Sequence, residues 1–399
     1  MKVLLINNYH YRRGGSETVY FQTGRLLAAY GHEVLWFSFA DQRNLPCAQS
    51  EFFPRRPSSV IESAISYCYN RRAARALERL LEMEKPDIAH VHLIWGGLSP
   101  AVLQVLRRNH IPVVHTVHDY RLVCPGYLFM DGTGAVCERC TEGNFMPCLK
   151  HRCAKGSLPQ SLLMTFEMYL RRWFFNPRRL IGGFHFVSRF AYDRHLAHDS
   201  GFAGTRHCII YNCLPEGSAP EVGRGNYFLF CGRLSREKGV HTLIEAFRRD
   251  SGLCLKVVGT GPLEDELRAR AAGASNIEFC GYRTGEDLSS LLRNCCCVIV
   301  PSEWYENNPL SIIEAYSAGK PVIGATIGGI PEIVSEGESG YLFPPCDAEG
   351  LLAAAQRLAA LSDEDYASLS AGSRRFFEDH FSEEKVYHRL MDFYEEVIG

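Results

Sequence analysis

Two carboxylates, Glu306 and Glu314, close the ends of the run Glu306-Asn307-Asn308-Pro309-Leu310-Ser311-Ile312-Ile313-Glu314. Pro309 suits the first turn of a helix, where its missing N–H costs nothing. The unpaired N–H groups of such a turn, with the helix dipole behind them, form an anion site. Along a helix this separation is a little over two turns, so both carboxylates are expected on roughly one face. Glu306 would then sit at the helix mouth beside phosphates, and Glu314, deeper, would accept hydrogen bonds from a ribose diol. The plainer reading is a core helix with two solvated glutamates. A second run, Phe230-Cys231-Gly232-Arg233-Leu234-Ser235-Arg236-Glu237-Lys238-Gly239, places a glycine and cations directly after an apolar stretch. Gly232 lets the backbone approach a ligand, Arg233 can fork onto phosphate oxygens, and Lys238 adds a compact positive charge. A departing nucleoside diphosphate needs such charges, because negative charge builds on its phosphates as the bond to it breaks. Read blandly, these are surface cations at a turn.

The first half offers Gly14-Gly15-Ser16-Glu17 opening a helix after the first apolar run, and His115-Thr116-Val117-His118-Asp119 ending another. It also carries Cys124, Cys137, Cys140, Cys148 and Cys153 in a stretch punctuated by Gly132, Gly134, Gly143 and Pro147. The glycines and proline mark a loop insertion. Cys137-x-x-Cys140 followed by Cys148 and Cys153, with Cys124 or His151 as alternates, has the spacing of a structural zinc site, and a metal would order a long loop with little core. Incidental thiols or a redox pair fit the same residues.

The elements that must carry these residues alternate between short apolar runs and helical patterns, which predicts parallel sheets built from βαβ units. Strands are expected over 3–7, 33–38, 88–92, 113–118 and 183–188. After a polar linker at 221–226, a second series is expected over 227–231, 255–259, 277–280, 296–300 and 321–324. Helices are expected after Gly15, over 70–83 and over 382–398. The domains then run 1–220, with the insertion at about 120–155, and 221–381, with the last helix, 382–399, packing back on the first domain. Two doubly wound α/β sheets joined this way imply domains facing a cleft, with ligands at the carboxyl ends of the strands. Cys295-Cys296-Cys297 reads as buried core.

The 399 residues suffice for two or three domains. With 46% hydrophobic residues, 22% charged residues and a formal net charge of -2, the chain is no polycation, so nucleic-acid binding is not expected. The apolar run after Met1 is too short for a signal peptide, and no stretch approaches the roughly 18 apolar residues of a spanning helix. Sixteen cysteines in a chain without an export signal are expected to stay reduced. Two stretches suit the surface of a membrane: Arg71, Arg72, Arg75 and Arg79 on one helix, and 162–180, where Met164, Phe166, Trp173, Phe174 and Phe175 mix with Arg171, Arg172, Arg178 and Arg179. The alternative is an ordinary helix packed under the cysteine loop.

Taken together, Gly-Arg-Leu-x-x-x-Lys-Gly and Glu-x7-Glu resemble the donor half of family-4 retaining glycosyltransferases of the GT-B fold. The likeness continues through Val258-Gly259-Thr260-Gly261-Pro262, Phe279-Cys280-Gly281-Tyr282, Pro301-Ser302-Glu303, Gly319-Lys320-Pro321-Val322 and Gly328-Gly329-Ile330-Pro331-Glu332. It is weaker at Gly14-Gly15 and Tyr211-Asn212. The resemblance implies that Arg233 and Lys238 bind the donor diphosphate, that Glu314 holds the ribose and that Glu306 lies against the transferred sugar. Amides of Asn308, Pro309 and Leu310 would border phosphate and sugar, Gly259, Tyr282 and Arg283 would line the nucleotide side, and His118 would contact the donor sugar. It also implies metal-independent catalysis by a front-face route, with no enzyme carboxylate attacking the sugar. The expected partners are a UDP- or GDP-sugar and a glycan or lipid-linked acceptor, in bacterial surface polysaccharide synthesis on the cytoplasmic face of the membrane. A sugar-phosphate-forming synthase and a non-catalytic nucleotide-sugar-binding scaffold are the alternatives.

Overall fold

The computed structural model describes residues 1–215 and 223–399, so the expected domain boundary at 220 and the first two linker positions, Glu221 and Val222, lie outside the described residues. The chain forms two compact units, Met1–Tyr211 with Val386–Gly399, and Asn212–Lys385.

The first unit is built on six parallel strands: β1 (Lys2–Ile6), β2 (Glu33–Phe37), β3 (Ile88–Val91), β4 (Val113–Val117), β5 (Gly183–Phe186) and β6 (His207–Ile209). Their order is β2-β1-β3-β4-β5-β6, so the winding reverses between β1 and β3. Every residue of β3, β4 and β5 is buried, as expected for strands covered by helices on both faces. Three helices of this unit enter the argument early in the chain, α1 (Gly15–Ala29), α2 (Val60–Cys68) and α3 (Arg71–Met83), and one after the cysteine-bearing loop, α4 (Leu158–Phe174). The loop itself contains a short helix, Met146–Lys150, and an isolated bridge between Met130 and Val136.

The second unit repeats the plan with β7 (Phe228–Cys231), β8 (Leu255–Val258), β9 (Ile277–Gly281), β10 (Cys297–Val300), β11 (Val322–Ala325) and β12 (Gly340–Phe343). The order β12-β11-β10-β7-β8-β9 puts its reversal between β7 and β10. Phe228, Phe230, Val257, Ile299, Ile323 and Phe343 from these strands share one core with Leu243, Phe247 and Leu351 from the covering helices. Cys295, Cys296 and Cys297 are all buried there. The helix after β10 is α5 (Leu310–Ser317).

The last helix, α6 (Glu383–Ile398), belongs from Val386 onward to the first unit. Tyr394 on it shares a 2.6 Å hydrogen bond with Nδ1 of His90 on β3, and Tyr387 stacks on Tyr30 at 3.7 Å. Phe393 and Val397 lie where a side chain at Gly183 would go, so the glycine at the start of β5 admits the helix.

Candidate functional site

In the second unit the reversal between β7 and β10 sets the loops that follow those two strands side by side, the position where open parallel sheets take ligands. The loop after β7 carries Gly232, Arg233 and Lys238, and the loop after β10 carries Ser302, Glu303 and Glu306. They are joined by an ion pair: Lys238 Nζ lies 2.5 Å from Glu306 Oε1, which also accepts from Ser302 Oγ at 2.8 Å. The Glu303 N–H donates to the Glu237 carbonyl at 2.9 Å, and Thr242 Oγ1 donates to Glu303 at 2.6 Å. Burial pushes the Glu306 carboxyl up, but the charge and hydrogen bond of Lys238, with the Ser302 hydroxyl, outweigh it and hold the group below its ordinary value. Glu306 is therefore a buried carboxylate that stays ionised.

Glycines let these loops approach one another. Gly259, at the end of β8, has φ +130°, and a Cβ there would stand 1.9 Å from the Gly232 carbonyl oxygen. Gly328 has φ +63°, and a Cβ there would meet the Glu306 backbone at 2.4 Å, while the next residue, Gly329, donates its N–H to the Glu306 carbonyl at 2.7 Å. Arg233 stands exposed on its loop, and Tyr282 and Arg283 are exposed just past β9 at the sheet edge.

The helix after β10 corrects one sequence expectation. Pro309 is its N-cap, not part of its first turn, and the helical residues run from Leu310 to Ser317. Glu306 therefore lies in the loop before the helix and Glu314 on the helix, so they do not share a helix face. The residue before a proline is driven out of the helical region, so the helix does not extend back through Asn308. Asn308 is fixed instead by Asn212, whose backbone N–H donates to its side-chain oxygen at 2.8 Å and whose side-chain amide donates to its carbonyl at 3.2 Å. The first N–H groups of the helix, at Leu310 and Ser311, have no acceptor within it and stay available for an anion.

Glu314 has a different environment. Its carboxylate has no cation or hydrogen-bond donor beside it among the described residues, and burial alone pushes it up to about 7. Near neutral pH it therefore changes between a donor-acceptor and a pure acceptor.

In the first unit, Gly14 caps α1 in an extended conformation, and Gly14 and Gly15 are exposed. His118 follows β4. Its Nε2 lies 2.8 Å from Nδ1 of His92, which follows β3, and the two rings stack at 5.1 Å. Burial, with repulsion from His115 and His185, pushes His118 down to about 3, and burial also holds His92 well below its ordinary value, so both imidazoles are neutral. The Nε2 of His92 is buried with no hydrogen-bond partner among the described residues. A bare acceptor there costs less than an orphaned N–H, so His92 carries its proton on Nδ1 and donates to His118. Sequence reasoning missed His92, although the His-x-His spacing of His90 and His92 at the end of a buried run was there to be read.

The cysteine-bearing loop gathers its thiols without forming a ligand set. Cys140 and Cys148 pack with Phe145 and Met168, Cys153 lies against them, and Cys124 is buried too. The Cys153 thiol donates to Cys148, which lowers the latter, while burial raises Cys124 and Cys140 to about 12. Cys137 accepts from Arg139 at 3.3 Å, and His151 is tied into the loop by its backbone, its carbonyl accepting from Gly132 at 3.1 Å. Among the described residues no three His, Cys, Asp or Glu side chains are arranged to hold a metal ion, so the zinc expected from Cys137, Cys140, Cys148 and Cys153 gains no support from the geometry.

The ion pair and the isolated glutamate give two predictions. Lys238→Met leaves the Glu306 charge buried and uncompensated, and should lower unfolding free energy in urea by about 2–4 kcal/mol. The double variant with Glu306→Gln should lose less than Lys238→Met alone; simple additivity would contradict the pairing. Glu314 has a raised folded value, so its contribution to stability is full below its ordinary value and is lost as pH rises through about 7. Glu314→Gln should therefore flatten the fall in stability between about pH 5 and about pH 8. An unchanged slope would contradict the assignment.

Comparison with known proteins agrees with this geometry. The family model described as Glycosyltransferase Family 4 matches residues 13–215, and that described as Glycosyl transferases group 1 matches residues 217–376. A Klebsiella pneumoniae protein described as an uncharacterized 42.6 kDa protein in the cps region is 24% identical over 84% of this chain and 87% of its own length. The Escherichia coli O-antigen chain mannosyltransferase C is 33% identical over 49% of this chain and 54% of its own. Among solved structures, Anabaena HepE, in complex with UDP and glucose, superposes with a TM-score of 0.69 at 18% identity, covering 99% of this chain and 100% of that one. Sucrose-phosphate synthase from Thermosynechococcus elongatus gives 0.71 at 18% identity, covering 99% and 98%. With two parallel-sheet units, a phosphate-suited loop pair at the second sheet's reversal and both family models matched, the chain belongs to glycosyltransferase family 4 and has the GT-B fold.

Proposed function

We propose that this glycosyltransferase moves a sugar from a nucleoside-diphosphate sugar, a UDP- or GDP-sugar, to a glycan or lipid-linked acceptor, with retention at the anomeric carbon. The observation that carries the reading is the Lys238–Glu306 pair at the sheet reversal, beside the exposed guanidinium of Arg233 and ahead of the α5 N-terminus. Arg233 and Lys238 take the diphosphate and stabilise the charge that grows on it as the glycosidic bond breaks. The Leu310 and Ser311 amides add the helix dipole, so no divalent metal is required for that charge. Glu314, held near neutrality by burial, accepts from the ribose diol, whose hydroxyls supply the donors its surroundings lack. Tyr282 and Arg283 border the base. Glu306, already engaged by Lys238 and Ser302, is not a bare nucleophile, which favours a front-face route over a covalent glycosyl-enzyme. In the first unit, His118, neutral and held by His92, is the candidate for hydrogen bonding to sugar hydroxyls.

The named relatives support the biological setting: the mannosyltransferase above acts on O-antigen chains by its name, and a putative colanic acid biosynthesis glycosyltransferase, WcaL of Escherichia coli, is 33% identical over 42% of this chain and 41% of its own. Both matches span about half of the relative or less. Bacterial surface polysaccharide is accordingly the proposed product class.

The test is turnover. Purified protein is incubated with UDP-glucose, UDP-galactose and GDP-mannose, with lipid-linked saccharides and with sugar phosphates as acceptors, and the product linkage is read by NMR. The expected result is an α-linked product on a saccharide acceptor, with Lys238→Ala and Glu314→Ala each lowering turnover by roughly a hundredfold. A β-linked product, transfer to sugar phosphates alone, or variants as active as the parent would overturn the proposal.

A further inference from the structure

Helix α4 is built inside out. The residues it buries are Ser161, Thr165, Glu167, Met168 and Arg171, while its exposed stripe holds large apolar side chains. Inside, Glu167 and Arg171 form an ion pair at 3.2 Å, both nearly inaccessible, and the Arg171 guanidinium donates to the Arg121 carbonyl at 2.7 Å and lies 4.3 Å from the centre of the Trp95 ring. Outside, Leu162, Phe166, Trp173 and Phe174 face solvent, Phe166 at 57% and Trp173 at 70% exposure. Within 162–180, Phe166, Trp173 and Phe174 are exposed, Arg171 is a buried strut, and Met168 packs with Cys140 and Cys148 of the cysteine-bearing loop.

A second helix widens the patch. Helix α2 packs against α4 and exposes Ile61 and Ile65, the former at 75%. Tyr69, just after α2, stacks on Phe175, just after α4, at 5.2 Å, which fixes the two helix ends together. Two neighbouring helices of one unit therefore expose apolar side chains among the described residues. Clusters of exposed large apolar side chains on folded proteins mark a surface that meets something else.

Charge selects what that is. Two residues separate α2 from α3, which carries Arg71, Arg72 and Arg75, all exposed; Lys155 precedes α4 and Arg179 follows it, also exposed. Two acids of this region are taken: Glu62 pairs with Arg72 at 2.7 Å, and Asp199 with Arg178 at 2.8 Å. A second copy docking on this face would oppose cations to cations across a twofold axis. An anionic bilayer instead offers apolar depth for the stripes and negative headgroups for the rim.

We propose that the outward faces of α2 and α4, rimmed by Arg71, Arg75, Lys155 and Arg179, dock the protein on an anionic lipid surface. No helix among the described residues is long and apolar enough to span a membrane, so the proposed contact is one of this face lying on the bilayer surface. The binding does not depend on the donor chemistry proposed above, and its test uses no sugar.

The whole protein is sedimented with vesicles of phosphatidylcholine alone and with vesicles containing phosphatidylglycerol. It should bind the anionic vesicles at least about tenfold more tightly, with binding falling as salt rises. Phe166→Glu with Trp173→Glu should lower binding by about tenfold or more at an unchanged melting temperature, because both side chains are exposed in the fold. Arg71→Glu with Arg75→Glu should remove the preference for anionic lipid. The proposal is overturned if the parent ignores phosphatidylglycerol vesicles, if both double variants bind as it does, or if the parent is a dimer in gel filtration that the Phe166/Trp173 variant dissociates.

Discussion

A carboxylate buried as fully as Glu306 remains ionised only because an ammonium group lies against it, and that constraint organises the second unit. Removing two charges from water is costly, and their attraction offsets the cost only with good geometry and further hydrogen bonds. Ser302 supplies one of these to the carboxylate. Because Lys238 follows β7 and Glu306 follows β10, the pair also couples the two loops at the sheet reversal. Gly259 and Gly328 remove the side chains that would otherwise hold those loops and their neighbours apart. Strand order brings the loops together, glycine admits the close approach, and the ion pair fixes it.

The two units use the carboxyl ends of their strands in chemically different ways. The second gathers Arg233, Lys238 and a helix N-terminus, a cationic arrangement suited to phosphate. The first gathers histidines that burial keeps neutral, with His92 orienting His118 and His90 held between Tyr394 and Thr116. Neutral imidazoles offer directed hydrogen bonds without a full charge, which matches the uncharged hydroxyls of a sugar.

Much of this was legible in the sequence, for physical reasons. Strands buried on both faces are continuous apolar runs, so β1, β3, β4, β7, β8 and β10 stand out. The three residues of β6, His-Cys-Ile, and the four of β12, with a glycine at the start, carry too little pattern to detect. The cations after β7 and the glutamates around Pro309 could be recognised as a phosphate-suited group, but not that Glu306 stands off the helix. That depended on Pro309 acting as the cap and on Asn212, nearly a hundred positions earlier, clamping Asn308. The mixture of aromatics and arginines over 162–180 stood out, yet it does not say which of them turn inward. Here the Glu167–Arg171 pair and its partner at Arg121 reverse the usual sense. Cysteine spacing suggested a metal, while the fold packs two of those thiols among Phe145 and Met168.

The most direct test of the central claim, that the loop pair at the second sheet's reversal holds a nucleoside diphosphate, is equilibrium binding of UDP and GDP by calorimetry to the parent and to Arg233→Met. Arg233 is exposed, so its loss should leave the fold intact. The account predicts that one of the two nucleotides binds, and that removing the guanidinium weakens it by about tenfold or more, the loss of one charge-assisted hydrogen bond. Binding of neither nucleotide, or an unchanged Kd in the variant, would contradict it.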